Sequence, residues 1–265
     1  MSLITVQHQQ LEVRKINGNK LLAPLVFLHE GLGSVAMWQS RQGDWLQELC
    51  EASGRAGWVY SRRGYGQSET VVDVRGKNRL APDYMHQEAW QVLPELLAMC
   101  GVSRPVLVGH SDGASIALLH AARHQVTGVV VMAPHLFVED ISLRSIEAAK
   151  NAFEHGDLRS RLSRFHADVD CAFWQWNDVW LSEAFRSFDI QQECLQISAP
   201  LLAIQGVDDI YGSLQHIDLL HTSGVVKREV LQNCGHSPHR EQFEISKQLI
   251  VDFLKDIPLT NGSHS

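Results

Sequence analysis

The chain has 265 residues, of which 45% are hydrophobic, and its formal net charge at pH 7 is −7. This length and apolar content suffice for one large domain without disulfides or a structural metal, and the negative charge argues against a nucleic-acid partner. No apolar run approaches the roughly 18 residues of a membrane span. The first residues lack the basic and apolar regions of a signal peptide. Together with five scattered cysteines, typical of reduced thiols, these features predict a cytoplasmic protein.

Apolar, β-prone runs alternate with amphipathic stretches of helix length in the first half of the chain. The alternation predicts strands over 21–29, 57–61, 105–109 and 126–134, and helices over 37–52, over 82–101 and from about Asp112. Pro94 is predicted to kink the helix over 82–101, because its ring clashes with the preceding turn.

The alternation stops in the region from 135 to 197, where the pattern is helical and no buried strand is predicted. It then resumes with strands over 199–206 and 225–232 and helices over 213–222 and 239–257. Alternating strands and helices predict an α/β fold, with a mostly parallel twisted sheet flanked by helices. We expect the segments 1–134 and 198–258 to form this core, 135–197 to form a helical cap, and 259–265 to be a flexible tail.

A serine stands between two glycines where the strand over 105–109 meets the following helix, in the sequence Gly-His-Ser-Asp-Gly. This matches G-x-S-x-G, the nucleophile elbow, in which the glycines leave room for a very tight turn. The turn projects the serine Oγ above the carboxyl end of the sheet. The motif therefore identifies Ser111 as a candidate nucleophile.

A serine nucleophile needs a histidine base and an acid that orients it, in the chain order serine, acid, histidine. Asp209 follows the predicted strand over 199–206 and is the candidate acid, with Asp208 as the alternative. His236 lies in a loop between a predicted strand and the last helix and is the candidate base. His239 is a weaker candidate because it lies at a predicted helix start.

The developing oxyanion needs backbone N–H donors from two loops. The glycine-rich segment after the first predicted strand supplies one, for which Gly31 is the candidate and Leu32 the alternative. The second is the N–H of Asp112, which directly follows the nucleophile. The segment lacks the spacing of a phosphate-binding loop.

Side chains beside these motifs are candidates for substrate binding. They are Glu30 and Leu32 in the glycine-rich loop, Trp38 just beyond it, His135 after the strand over 126–134, and Trp176 in an aromatic cluster of the predicted cap. Most aromatic residues of that cluster are expected to pack the cap against the core. No set of residues has the spacing of a metal site, and no cofactor is predicted.

Five segments occur in an order that resembles α/β-hydrolase-fold enzymes with a helical cap. They are HEGLGS (29–34), SRRGYGQS (61–68), GHSDG (109–113), GVDD (206–209) and GHSPH (235–239). The resemblance implies a Ser-Asp-His triad, and Ser111 argues against the members that use an aspartate nucleophile. In SRRGYGQS, Ser61 replaces a common Asp, and the family's use of this loop favours a structural role for Arg63.

The acid at position 112 has two interpretations. The elbow G-x-S-D-G resembles that of valacyclovir-hydrolase-like amino-acid ester hydrolases, in which this Asp is implicated in binding the substrate amine. Alternatively, Asp112 caps its own helix, because acids are favoured in the first turn.

We predict a serine hydrolase that cleaves a small carboxylic ester or thioester, with an apolar or aromatic acyl part, through an acyl-enzyme on Ser111. The alternatives are a C–C bond hydrolase or enol-lactonase of aromatic degradation, a non-catalytic ligand-binding protein of the same fold, and a cofactor-free dioxygenase. The expected partner is a small-molecule substrate, with no nucleic acid and no membrane, and a homodimer is left open.

Overall fold

The computed structural model describes residues 1–257, and the predicted tail over 259–265 lies outside them. Eight strands form one sheet with the spatial order β1-β2-β4-β3-β5-β6-β7-β8. Their bounds are β1 Ser2–Val6, β2 Gln9–Ile16, β3 Leu25–Leu28, β4 Gly57–Tyr60, β5 Val106–His110, β6 Gly128–Met132, β7 Leu201–Gly206 and β8 Val226–Leu231.

Strands β3 to β8 are parallel to one another, whereas β2 is antiparallel to both β1 and β4. The residues of β3, β5, β6 and β7 are buried throughout. Successive side chains point to opposite faces of a sheet. Accordingly, Val26 and Leu28 join one hydrophobic cluster and Leu25 and Phe27 the other. The predicted α/β fold with a mostly parallel sheet flanked by helices is confirmed.

The hairpin of β1 and β2 was not predicted from the sequence. Its turn is made by Gln7 and His8, both with positive φ, at 48° and 64°. Hairpin turns of this kind usually contain Asn-Gly or Asp-Gly, and this one contains neither, so the usual sequence signal is missing. The pairing adds two antiparallel strands to the edge of the parallel sheet.

Eleven α-helical segments are present in residues 1–257. They are α1 Trp45–Ser53, α2 Tyr84–Gln87, α3 Leu93–Met99, α4 Asp112–Ala121, α5 Asp140–His155, α6 Leu158–Leu162, α7 Val169–Trp180, α8 Gln191–Cys194, α9 Gln215–Asp218, α10 Pro238–Glu241 and α11 Phe243–Lys255. In this part of the chain, no helix is both long and apolar enough to cross a membrane.

Several predicted helix boundaries were wrong. The helix predicted over 37–52 is a 3₁₀ turn at Val35–Trp38 followed by α1, because the Asp44 side chain caps α1 by accepting from the Gln47 N–H. Before Pro94, the helix continues through a wider π turn at Glu88–Val92. A π turn of this kind is one way in which a helix accommodates a local irregularity in its hydrogen bonds.

The two last predicted helices are also shorter or divided in the structure. Only Gln215–Asp218 is helical within the segment predicted over 213–222. The helix predicted over 239–257 is broken at Gln242, whose non-helical backbone, with φ −127° and ψ 55°, separates α10 from α11.

The segment 135–197, here called the helical insertion, connects β6 to β7. Its two ends are held together, because Phe137 and Asp189 form a β-bridge and the Ile190 N–H donates to the Leu136 carbonyl at 2.8 Å. Within it, the rings of Phe153 and Phe173 stack at 3.7 Å between centroids. This pairing joins α5 to α7 as one packed unit.

Candidate active site

The turn between β5 and α4 has a strained backbone at Ser111, with φ 53° and ψ −121°. A non-glycine residue at positive φ is uncommon and costs free energy, so the surrounding packing must hold it. The two neighbouring glycines explain how the turn fits. A Cβ on Gly113 would overlap the Leu28 carbonyl, and a Cβ on Gly109 would overlap Gly113 and Ala114.

The structure brings Ser111, His236 and Asp209 together from three separate loops. The Nε2 of His236 lies 3.0 Å from the Ser111 Oγ, and its Nδ1 lies 2.9 Å from each carboxylate oxygen of Asp209. Since a carboxylate only accepts, Nδ1 carries the proton and Nε2 is free to accept from the serine hydroxyl. The alternative acid, Asp208, is exposed to solvent.

The orientation of this histidine is fixed by further contacts. Asp209 also accepts from the Gln205 side chain at 2.7 Å and from the Tyr211 N–H at 2.8 Å. Burial lowers the pKa of His236, but the hydrogen bond and charge of Asp209 outweigh burial and raise it above its ordinary value. The His110 side chain bonds the backbone carbonyl of His236 at 2.6 Å.

The glycine-rich loop lies beside the serine. The Gly33 N–H donates to the Glu30 carbonyl at 3.1 Å, whereas the N–H groups of Gly31 and Leu32 take part in none of the hydrogen bonds found within residues 1–257. A Cβ on Gly31 would overlap the indole of Trp176, so this position requires a glycine. The loop thus has backbone donors available next to Ser111.

A cavity of about 130 Å³ lies in front of Ser111, which is small for a ligand site, since such sites typically measure about 300–1,000 Å³. It contains four of the predicted substrate-binding residues, Glu30, Leu32, His135 and Trp176. The remaining residues that line it are Gly31, Ser111, Asp112, Ile146, Trp180, Tyr211, His236 and Ser237. The helical insertion therefore covers the serine with Ile146 and two tryptophans.

Trp38 does not line this cavity, so the prediction for this residue was wrong. It is buried among aromatic rings beneath the loop, stacked on Trp45 at 5.9 Å and tilted against His239 at 4.8 Å between centroids. His239 is therefore a packing partner of Trp38 rather than a neighbour of the serine. Because its 3₁₀ turn directs the side chain into the core, Trp38 contributes to packing and not to the wall of the cavity.

The carboxylate of Asp112 is completely buried and does not cap its helix. Its Oδ2 accepts from the Tyr84 hydroxyl at 2.6 Å and its Oδ1 from the Trp180 Nε1 at 3.3 Å, while the Arg62 guanidinium lies 3.7 Å away. Burial raises the pKa of this carboxyl, against the opposing effects of Arg62 and Tyr84. The capping interpretation is wrong because side chains, not backbone N–H groups, bind the carboxylate.

Glu30 and His135, which also line the cavity, have shifted pKa values as well. For Glu30, burial raises the pKa, but the nearby charges of His110, Arg240 and His236 outweigh it and the net shift is downward. Burial, with the charge of His216 second, lowers the pKa of His135 well below its ordinary value. The cavity therefore holds an ionised Glu30 and a neutral His135 at neutral pH.

The sequence did not identify Arg62, Tyr84, Trp180 or Tyr211 as site residues. Tyr211 had a detectable signal, because it lies two residues after Asp209 in the same loop. Arg62 lies in the segment SRRGYGQS and Trp180 in the aromatic cluster of the predicted cap, but neither pattern indicates which side chain reaches the site, and Tyr84 has no local signal. The neighbouring Arg63 points elsewhere and pairs with Glu69 at 3.1 Å.

A family model described as "Alpha/beta hydrolase family" matches residues 25–244. The match covers more than half of the chain, so the protein belongs to the alpha/beta hydrolase family. A search of curated proteins found no significant match.

Many solved structures resemble the chain at low sequence identity, which establishes the fold. A membrane phospholipase A described as a bacterial virulence factor aligns with TM-score 0.74 and 19% identity, over 97% of this chain and 86% of its own. The enol-lactonase from Burkholderia xenovorans LB400 gives 0.69 and 20%, over 96% and 100%. An esterase from Exiguobacterium antarcticum gives 0.72 and 15%, over 96% and 99%.

Proposed function

We propose that the protein is a serine hydrolase that cleaves a small carboxylic ester or thioester through an acyl-enzyme on Ser111. The observation that carries the proposal is the chain of contacts from the Ser111 Oγ through His236 to Asp209, at 3.0 and 2.9 Å. Nucleophile, base and orienting acid within hydrogen-bond distance are the arrangement that activates a serine. The strained elbow, which exposes the hydroxyl to a covered cavity, adds further support.

In the first step, the Ser111 Oγ attacks the carbonyl carbon while its proton passes to Nε2 of His236. The carbonyl electron pair moves to the oxygen, which the N–H groups of Gly31 and Asp112 bind. When the tetrahedral intermediate collapses, the bond to the leaving alcohol or thiol breaks and His236 returns the proton to it. A water molecule then repeats the sequence on the acyl-enzyme and releases the acid.

The cavity walls favour a particular kind of substrate. Ile146, Trp176 and Trp180 offer apolar and aromatic contact area to an acyl group. Of the twelve described residues that line the cavity, two are acids and none is Lys or Arg. A substrate with a negative charge would lose its hydration without gaining a cation, so neutral or cationic esters are the favoured class.

A second candidate substrate is a lactone, which the small covered cavity favours because a lactone holds its acyl and alcohol parts in one compact ring. The same steps open the ring, and the alcohol remains attached to the acyl-enzyme until water releases the hydroxy acid. The enol-lactonase of similar fold is consistent with this candidate.

The test is rapid-mixing and steady-state hydrolysis of p-nitrophenyl esters with short neutral, aromatic and α-amino acyl groups. For the wild type, we expect a burst of p-nitrophenol equal to the enzyme concentration. In Ser111→Ala, the burst should vanish and kcat should fall by about 10⁴-fold or more. Ser163→Ala, at an exposed serine of the helical insertion, is the matched control and should behave as wild type.

Wild-type turnover in Ser111→Ala would contradict the acyl-enzyme mechanism. A wild-type protein that is inert on the esters but opens lactones with release of acid would select the second candidate. Inertness toward both panels would reject hydrolysis of carboxylic esters and favour C–C bond cleavage, oxygen chemistry or ligand binding without turnover.

A further inference from the structure

The peptide group between Glu30 and Gly31 is held unusually firmly at its carbonyl end. The Glu30 carbonyl oxygen accepts three hydrogen bonds, from the His29 Nδ1 at 2.7 Å, the Arg62 Nη2 at 3.0 Å and the Gly33 N–H at 3.1 Å. The opposite end of the same peptide group is the Gly31 N–H, the donor proposed for the oxyanion. Whatever fixes this carbonyl therefore also fixes the direction of that donor.

Arg62 makes the most extensive contacts in this arrangement. Its Nη1 donates to the His29 carbonyl at 2.7 Å, so the guanidinium binds two successive carbonyls of the glycine-rich loop. Its own backbone N–H donates to the His29 Nε2 at 3.0 Å. This contact requires the tautomer with the proton on Nδ1, which is the one that can donate to the Glu30 carbonyl.

The same guanidinium also faces the second proposed oxyanion donor. Its Nη2 lies 3.7 Å from the Asp112 carboxylate, and both side chains are almost completely buried, with 6% and 1% of their surfaces exposed. Asp112 contributes its backbone N–H to the oxyanion in the proposed mechanism. One rigid, permanently charged side chain thus lies between the two loops that must face a single oxygen atom.

Hydrogen bonds polarise the groups that they connect, and a charged donor has the larger effect. A carbonyl that accepts from a guanidinium makes the N–H of its own peptide group a better donor. We propose that Arg62 is a positioning residue of the oxyanion hole, which orients and polarises the Gly31 N–H toward the developing charge. This inference rests on the proposed function, because it assigns a role within that reaction.

The test compares Arg62→Lys and Arg62→Gln with the matched control Arg63→Gln, at the adjacent arginine whose side chain pairs with Glu69. Loss of a whole oxyanion donor costs about 10²–10³-fold in kcat. Because Arg62 acts on such a donor indirectly, we expect kcat of both variants to fall about 10- to 100-fold. KM should change less than about threefold, since the ground-state carbonyl carries little charge. Arg63→Gln should retain wild-type kinetics.

Inhibition by a boronic acid, which forms a tetrahedral adduct with the serine, distinguishes this positioning role from a merely structural one. If Arg62 positions the oxyanion donor, the inhibition constant of phenylboronic acid should rise in proportion to the loss in kcat/KM across the variants. In Arg62→Lys, which keeps the positive charge, the acidic limb of the pH profile should not move, because the contacts of His236 with Asp209 and Ser111 are unchanged. Folded variants with kcat within twofold of wild type would overturn the inference.

A second measurement does not depend on any activity. The amide nitrogen shift of a residue responds to hydrogen bonds at the preceding carbonyl, so protein labelled with ¹⁵N-glycine reports directly on Gly31. In Arg62→Lys, the Gly31 signal should move, while that of the distant Gly101 should not. An unmoved Gly31 signal would overturn the inference even if the protein hydrolyses esters. A moved signal in a protein without ester hydrolysis would instead contradict the proposed function.

Discussion

Two regions meet at the cavity and are held in different ways. The sheet-edge loops (residues 29–34, 109–113, 207–212 and 235–237) follow directly from strands of the parallel sheet or pack on them, and their backbone groups are held by hydrogen bonds from within the core, such as those of Arg62 to the His29 and Glu30 carbonyls. The helical insertion contacts these loops mainly through individual side chains. His166, for example, bonds the Leu32 carbonyl at 3.0 Å and accepts from the Gly66 N–H at 3.0 Å.

Further polar contacts between the insertion and the rest of the chain also come from individual side chains. Trp180 donates to Asp112 beside the serine, and Arg75 forms a bidentate pair with Asp178 at the outer surface. The difference suggests a division of roles, in which the loops supply the reacting groups and the insertion supplies the walls that select the substrate. Substitutions of the reacting side chains in the loops should therefore act mainly on kcat, and substitutions in the insertion mainly on stability and substrate preference.

The largest effect is expected at the acid of the triad, and it tests whether the loops supply the reacting groups. Asp209→Asn keeps the shape but removes the charge that fixes the tautomer of His236, so kcat should fall about 10⁴-fold. Asp208→Asn, at the exposed neighbouring acid, is the matched control and should lose less than about twofold. Steady-state kinetics on the most reactive ester of the panel measure both. Equal losses in the two variants would refute the assignment of Asp209.

The next largest effect is a loss of stability, expected where the elbow packs tightly against the sheet. Gly113→Ala places a methyl group against the Leu28 carbonyl, which buried backbone cannot avoid, so the free energy of unfolding should fall by about 3 kcal/mol. Gly101→Ala is the comparison for strain without a clash, because Gly101, unlike Gly113, has positive φ, at 64°, and nothing lies within 4 Å of an added Cβ. Its cost should be about 1 kcal/mol, from backbone strain alone. Urea denaturation measures both, and similar costs would indicate that the elbow is loosely packed.

An intermediate effect is expected where the insertion joins the loops. Trp180→Phe removes the N–H that donates to Asp112 and Tyr84, so the free energy of unfolding should fall by about 1–3 kcal/mol. Trp174→Phe, at a partly buried position of the same helix α7, keeps an aromatic ring against Phe153 and Arg75 and should lose less than about 1 kcal/mol. Thermal and urea unfolding distinguish the two variants. If they were equally stable, the contact with Asp112 would not hold the insertion in place.

The smallest predicted effect concerns pH. His236 must be neutral to accept the proton of Ser111, so kcat/KM should rise with pH through the pKa of His236 in the free enzyme. Because Asp209 raises this pKa, Asp209→Asn should move the acidic limb to lower pH, while Asp208→Asn should leave it in place. Profiles of kcat/KM from pH 4 to 9 test this. A limb that moves to higher pH in Asp209→Asn would contradict the electrostatic account.

The two regions also differ in how much of them the sequence predicts. The elbow and the loops that contain Gly31, Asp209 and His236 have local signals, because a tight turn after a strand demands particular residues at fixed spacing. Their positions relative to one another follow from the parallel sheet, since the carboxyl ends of its strands share one edge.

The remaining contacts could not be predicted because they join distant segments. Arg62, Tyr84 and Trp180 converge on Asp112 from three different parts of the chain, and nothing near each residue specifies a partner. Trp38 illustrates the opposite error, because proximity in sequence to the glycine-rich loop suggested a cavity wall where the side chain in fact faces the core. The hairpin of β1 and β2 was missed because its turn lacks glycine and asparagine.

Covalent labelling of the nucleophile tests the central claim most directly. The folded protein is treated with a fluorophosphonate, and the adduct is measured by intact mass and located by peptide mapping. We predict a single adduct on Ser111, absent in Ser111→Ala and formed at least about 10³-fold more slowly in His236→Ala, because the base activates the hydroxyl. An adduct on another residue, or no adduct on the folded wild-type protein, would contradict the account.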